Sequence, residues 1–408
     1  MGSQGGRPGR LRVTPRELRG QLAALGAVLW IVALVNAWTP TLYLRSGQVK
    51  GTDFVHVYTL GRATATGHAS DLLDAGALQR IQLDAVPESA HAFFPAFYGP
   101  QVGVTLRPLG FLSYRTALIV WSIVTFGIYL GAVVFVVRRS RSLKPFLGLV
   151  MLASLAYPPF WFLIQHGQLT VVAMSAMVGA WAMMRRGHEL AAGLCLGLMA
   201  YKPQLVTPVA LVLLATASWR ILLGLAAGAL LQFLPGILLL GPRVPVDYLA
   251  FLVEMLRNGE APIATPEQFQ GWRAFWALLV PNATAANILF AVSAVATAGV
   301  AARVWQRHEQ ASVRCAVLGL VIGLAAPHLY TYDLVLLAPA WLWLTEWFLN
   351  RPDAPRLFGQ TLYAGFAAPL LGPLLATVRI HAVVPILLLL LVLLYRQAPI
   401  APPERQRA

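Results

Sequence analysis

Apolar runs of roughly 15 to 25 residues recur along the chain from Leu18 to Tyr395, and none shows the strict alternation of a half-buried strand. In a bilayer every backbone N–H and C=O must be satisfied within the protein, so runs of this kind predict helices. The pattern places candidate spans at 20–44, 115–137, 145–164, 169–185, 188–201, 204–218, 220–240, 284–305, 312–327, 331–349, 357–377 and 380–396. Several fall short of the ~20 residues a straight span needs, which implies kinks or local thinning of the bilayer. The expectation is an all-α polytopic transmembrane bundle with about 12 spans. The expected divisions are a disordered basic N-terminus at 1–18, a single transmembrane domain at 19–397 and a flexible Pro-rich tail at 398–408.

One segment decides the topology. "AFYGPQVGVTLRPLGFL", residues 96–112, is apolar enough to be mistaken for a span, but it carries Pro100, Pro108 and Arg107. These suit the middle of a lipid-facing helix poorly. If the segment stays on one side, about 20 basic residues fall inside and about 11 outside, as the positive-inside rule requires. If it crosses, the ratio roughly inverts. It is therefore read as an external interfacial or re-entrant element, with both termini cytoplasmic. The first external loop, 45–114, then carries interfacial helices, and 241–283 is a second long external loop.

Composition supports this class: 58% of residues are hydrophobic and 12% charged, against about a quarter charged in a soluble domain. The net charge of +15 lies in short clusters between apolar runs, which points to membrane orientation and away from nucleic acid. Cys195 and Cys315 each sit in an apolar run, without metal or disulfide spacing.

The deduced topology collects the unusual polar residues on the external side. Asp53 stands just after the first span. It is either the N-cap of the next helix or a general base at a membrane-proximal pocket. The helix behind it is expected to lie on the membrane surface, with His56 solvated or lining the site. Phe93 to Pro100 is either an interfacial aromatic belt or a wall for a lipid carrier. His166 and Gln168 occupy a very short turn between long apolar runs, where polar side chains are functional candidates. Lys202, before Pro203, is either a snorkelling lysine or a cation aimed at a phosphate. His328, Tyr332 and Asp333 mark another external helix end, where Asp333 could cap the next span. Phosphate loops, dinucleotide fingerprints and zinc-protease motifs are missing from the sequence.

These stretches in this order resemble glycosyltransferase family 87, polytopic enzymes of the GT-C type related to polyprenol-phosphate-mannose-dependent α-1,2-mannosyltransferases. The residues that carry the resemblance are "TDFVHVYTLGRATATG" with "DLLD", "FFPAFYGPQVGVTLRPLGFLSY", "YPPFWFLIQHGQLT", "AGLCLGLMAYKPQLVTPVAL" and "APHLYTYDLVLLAPA". Two departures touch sugar identity: "FFPAF" stands where the family often has "YPP", and "VHVY" where it often has a tyrosine pair. The resemblance implies transfer of a hexose, with mannose the first candidate, from a polyprenyl-phosphate donor to a hydroxyl of a glycan or glycolipid acceptor. The reaction would invert the anomeric centre at the periplasmic or extracellular face of the plasma membrane. Asp53 would be the general base and His328 its catalytic partner or a donor to the leaving phosphate. Lys202, His166, Gln168, His56 and Tyr332 would line the substrate pocket. No metal or other cofactor is expected, because Asp53 has no adjacent acid and Asp71 and Asp74 lie well beyond it. Two rival readings are a transporter or flippase, which predicts charges deep in several spans and inverted repeats, and a non-catalytic scaffold, in which Asp53 only caps a helix.

Overall fold

The structure is a computed structural model that describes residues 14–91, 98–258 and 269–397. Residues 1–13, Phe93 and Pro95 of the aromatic stretch, and the tail from 398 lie outside the described residues. The described residues form helices joined by short connections, with no strand among them.

Helix α1 (Pro15–Ala37) starts within the segment expected to be disordered. Thr14 and Glu17 form a reciprocal capping box that satisfies its first N–H groups. The region 45–114 follows, with α2 (Thr52–Ala65), a 3-10 turn at Ala69–Leu73, α3 (Ala75–Ala85), α4 (Pro100–Thr105) and α5 (Arg107–Gly110). The ambiguous segment is thus two short helices, too short to cross a bilayer, and both pack against α2.

The long apolar helices come next. These are α6 (Tyr114–Arg138), the pair α7 (Leu147–Leu155) and α8 (Pro158–His166), α9 (Thr170–Met184), α10 (Glu189–Gly197), α11 (Pro203–Ala215), α12 (Trp219–Leu231) and α13 (Leu234–Leu240). The chain continues through α14 (Val244–Asn258), α15 (Trp272–Leu279), α16 (Ala283–Arg307), α17 (Ala311–Ala325), α18 (Leu337–Leu349), α19 (Arg356–Thr377) and α20 (Val383–Arg396). The 3-10 turn Thr331–Leu336 runs directly into α18.

Among the described residues four segments are long and apolar enough to cross a membrane: α1, α6, α12 with α13, and α16. A fifth arises if α7 and α8, bent by 52° at Pro158, count as one broken span. Shorter apolar helices, among them α9, α11, α17 and α20, fill the interior. Helix α17 is buried without interruption from Cys315 to Ala325. By contrast Ile31 and Leu34 on α1, Ile119 and Ile123 on α6, and Ile288 and Val292 on α16 are exposed. Apolar side chains turned outward on the longest helices are what a lipid surround requires, and the protein is a membrane protein.

Helices α10 and α12 touch backbone to backbone. Gly193 and Gly197 on α10 face Gly224 and Gly228 on α12, the small-xxx-small spacing that lets helices approach closely. A Cβ on Gly193 would sit 2.0 Å from the Ile221 carbonyl oxygen, whereas one on Gly299 would meet nothing within 4 Å. Replacing Gly193 by Ala is therefore expected to destabilise the protein by ~1–3 kcal/mol through overpacking, while Gly299→Ala leaves the melting temperature unchanged or slightly higher. Thermal unfolding of the detergent-solubilised protein measures both.

Candidate functional site

Asp53 lies in the first turn of α2, yet it does not cap that helix. The N-cap is Gly51, in a left-handed conformation at φ 67° that glycine adopts without strain, and no side-chain capping bond is present. The start of α2 is held instead by Tyr114 of α6, whose hydroxyl donates to the Lys50 carbonyl at 2.6 Å and the Gly51 carbonyl at 3.0 Å. The helix expected on the membrane surface is enclosed by protein. From Phe54 to Gly61 every residue is buried. His56, expected to be either solvated or lining the site, is 7% exposed, with its ring 5.7 Å from that of Tyr98. The cause is α4 and α5, which cover the face of α2 that a surface helix would turn outward.

The Asp53 carboxylate reaches across 115 positions to the turn after α8, where Gln168 Nε2 donates to its Oδ2 at 2.6 Å. That turn exists because Gly167 closes α8 in the left-handed region at φ 68°. Trp121 of α6 donates its indole N–H to the Gly167 carbonyl at 2.9 Å and fixes the turn in place. The Gln168 amide is fully used. Its nitrogen also donates to the Tyr332 hydroxyl at 3.1 Å, and its oxygen accepts from the Tyr98 hydroxyl at 2.9 Å and the Leu169 N–H at 3.3 Å. A flipped amide would set oxygen against carboxylate, so the network fixes its orientation. Asp53 Oδ1 takes no hydrogen bond among the described residues, and Asp53 is half-buried.

Beside this network lies a second one. Lys202, at the N-cap of α11, sets its ammonium 2.7 Å from Asp333 Oδ1, with both side chains cut off from solvent. Thr170, at the start of α9, donates its hydroxyl to the same oxygen. Asp333 Oδ2 accepts the Tyr330 N–H at 3.1 Å, so the capping expected of this residue is real but uses one oxygen only. Burial works against the Lys202 ammonium, and the charge and hydrogen bond of Asp333 together with Tyr201 and Asp53 more than offset it, so the lysine stays charged. Lys202 Nζ also lies 5.3 Å from the Tyr332 ring centroid, which ties the two networks together. Burial first, then the charges of Asp53 and Asp333, holds the Tyr98 and Tyr332 phenols well above their ordinary range. Both remain O–H donors at neutral pH.

His166 joins through its ring, 5.3 Å from that of Tyr332. Its Nδ1 lies 2.9 Å from the Phe162 carbonyl and must donate, which leaves the Nε2 lone pair free in the neutral ring. His328 is placed differently from the expected pairing with Asp53. Its hydrogen-bond partner is Arg273 of α15, whose Nη1 donates to His328 Nε2 at 2.6 Å. The two connect to the cluster through rings: Phe269 packs on both His328 and Tyr330, and Tyr330 stacks on Tyr332 at 5.2 Å. Asp71 and Asp74 are elsewhere, Asp71 beside His68 and Asp74 capping α3. Among the described residues no three His, Cys, Asp or Glu side chains gather as a metal site.

Asp53, His56, His166, Gln168, Lys202 and Tyr332 are therefore gathered in one cluster, and His328 lies at its edge. Arg273, Thr170 and the hydroxyl of Tyr98 join the site without standing out in the sequence, and Asp333 does more than the capping expected of it. An arginine inside the aromatic run "GWRAFW" was the available signal for Arg273.

A family model for glycosyltransferase family 87 matches residues 96–327, more than half of the chain. The chain belongs to glycosyltransferase family 87. No curated protein and no solved structure matches it. Membership in glycosyltransferase family 87 implies a glycosyltransferase, with a sugar donor and an acceptor as substrates. The matched segment contains Tyr98, His166, Gln168, Lys202 and Arg273. Asp53 lies before it, and His328 and Asp333 follow it; the hydrogen bonds above join Asp53 and Asp333 to the matched part.

Removing one member of a desolvated ion pair strands the other. Lys202→Met is expected to cost ~3–5 kcal/mol, and adding Asp333→Asn to recover part of that loss, measured as unfolding midpoints. His328 gives a pH signature. Burial, then the Arg273 guanidinium, pushes its imidazole down to about 4, whereas in the unfolded chain it titrates near ~6.5. The unfolded chain therefore binds the extra proton between these values. The stability His328 contributes is complete above the unfolded value and is lost as the pH falls towards 4. Arg273→Gln should flatten that acid limb in a plot of melting temperature against pH.

Proposed function

We propose that the protein transfers a hexose, mannose in the first instance, from a polyprenyl-phosphate donor to a hydroxyl of a glycan or glycolipid, with inversion and with Asp53 as general base. The observation that carries this is the state of Asp53. One carboxylate oxygen is fixed by the Gln168 amide and the other is unengaged among the described residues, in a half-buried position that a capping role does not require. A base needs this combination of fixed orientation and an open lone pair.

In this reading the acceptor O–H passes its proton to Asp53 Oδ1 as its oxygen attacks the anomeric carbon. The bond from that carbon to the phosphate oxygen breaks, and polyprenyl phosphate leaves with the bonding pair. The departing charge needs positive charge or donors placed in advance. Lys202 suits this less well than its sequence position suggested, because Asp333 already compensates it. Arg273, with no carboxylate partner among the described residues and with His328 alongside, is the better candidate. Tyr332 accepts from Gln168 and so has its own O–H to donate to a substrate oxygen. The charge distribution supports a GT-C-type arrangement of about 12 spans with cytoplasmic termini and the Asp53 cluster at the periplasmic or extracellular face of the plasma membrane.

The test is transfer from radiolabelled polyprenyl-phosphate-mannose in membranes holding equal amounts of each variant. Asp53→Asn should lower the rate by ~10²–10⁴-fold, and Gln168→Leu by less, since it removes orientation and not the base. Equal rates for wild type and Asp53→Asn would overturn the assignment and move the base to His166, whose Nε2 is available.

A further inference from the structure

The segments that frame the Asp53 cluster also frame a cavity at their other ends. Helix α6 starts at Tyr114, bonded to Gly51, and runs 25 residues, about 37 Å, to Arg138. Helix α9 runs from Thr170 to Met184, and the Asp333 turn continues through α18 to Leu349. Where these helices end, a cavity of about 320 Å³ is lined by Arg139, Arg185, Trp181, Trp347, Glu346 and Ser312, among others. That volume falls at the lower end of the ~300–1,000 Å³ typical of small-ligand sites.

Its walls include two exposed arginines, Arg139 and Arg185, and Arg139 Nη1 also donates to the Phe135 carbonyl at 3.1 Å. Trp181 and Trp347 are 2% and 3% exposed, and neither indole N–H has a hydrogen-bond partner among the described residues. Those nitrogens are shut off from solvent, so the indoles shape the wall and the arginines supply its donors. The 15-residue helix α17 opens here with Ala311 and Ser312, without a side-chain cap, so its first N–H groups are also unspent. Two guanidiniums stand at the mouth. Arg139 is stacked 3.5 Å from the Phe135 ring centroid and Arg185 5.0 Å from that of Trp181.

One carboxylate shares the cavity with them. Glu346 is half-buried, and no ion pair joins it to either arginine among the described residues. Unlike charges that share a small cavity without touching leave a polarised gap. A simple anion would satisfy the arginines but repel Glu346. A group with a phosphate at one end and a primary ammonium at the other satisfies both sides. The cavity opens where apolar helices give way to Arg138 and Arg139, the depth at which phospholipid headgroups lie.

We propose that this cavity binds the phosphoethanolamine headgroup of a membrane phospholipid, phosphate against Arg139 and Arg185, ammonium against Glu346.

The test uses the full chain, delipidated in detergent, with the melting temperature followed as lipid is added. Dioleoyl phosphatidylethanolamine should raise it more than phosphatidylglycerol or phosphatidylcholine of the same chains. Glu346→Gln should abolish the preference for ethanolamine over glycerol while leaving stabilisation by phosphatidylglycerol. Arg139→Gln with Arg185→Gln should remove stabilisation by both. Retained sugar transfer in each variant shows that it is folded. Soluble phosphoethanolamine distinguishes the source: no effect assigns the lipid, and an effect equal to the lipid's upholds the headgroup chemistry with a soluble ligand. Stabilisation by phosphatidylglycerol equal to or above that by phosphatidylethanolamine in wild type, or an ethanolamine preference that survives Glu346→Gln, would overturn the proposal.

Discussion

A lysine ammonium 2.7 Å from an aspartate carboxylate, both shut off from solvent, sets the geometry of everything around it. Neither charge is tolerable at that depth alone. The pair therefore binds the start of α11 to the turn before α18, and Thr170 adds the start of α9. Three segments well separated in sequence meet at one carboxylate oxygen. The Tyr332 ring is held beside that pair by its neighbour Asp333, and its hydroxyl is thereby brought to Gln168. The second network is in this sense built on the first.

The hydrophobic pattern was a good guide to where helices run, because lipid and protein interior impose the same demand on a backbone. α6, α12 with α13, and α16 lie close to where the apolar runs put them. For the same reason the pattern was a poor guide to what each helix touches. Leu and Val look alike whether they face a neighbour or an acyl chain, so neither the enclosure of α2 by α4 and α5 nor the burial of His56 is legible in the pattern. Asp53, Gln168 and Lys202 were legible as candidates because each interrupts an apolar stretch. Their partners were not. The contacts Asp53–Gln168 and Lys202–Asp333 span 115 and 131 positions, and nothing local in a single sequence encodes such a pairing. Capping rules also misled at Asp53, since Gly51 holds the N-cap itself.

The pairing of Lys202 with Asp333 bears on the proposed chemistry at Asp53. A lysine ammonium beside a carboxylate orients it but also compensates its charge, and a compensated carboxylate is reluctant to accept a proton. A primary amide orients without compensating. Gln168 gives Asp53 one strong hydrogen bond and no net charge, and its remaining capacity is spent on Tyr98, Tyr332 and Leu169, so it has little freedom to turn away. The nearby cation is meanwhile held by an acid of its own. The arrangement divides the contacts: Asp333 with Lys202 holds the fold at depth, and Gln168 orients the Asp53 carboxylate through a neutral amide where α2 meets the turn after α8.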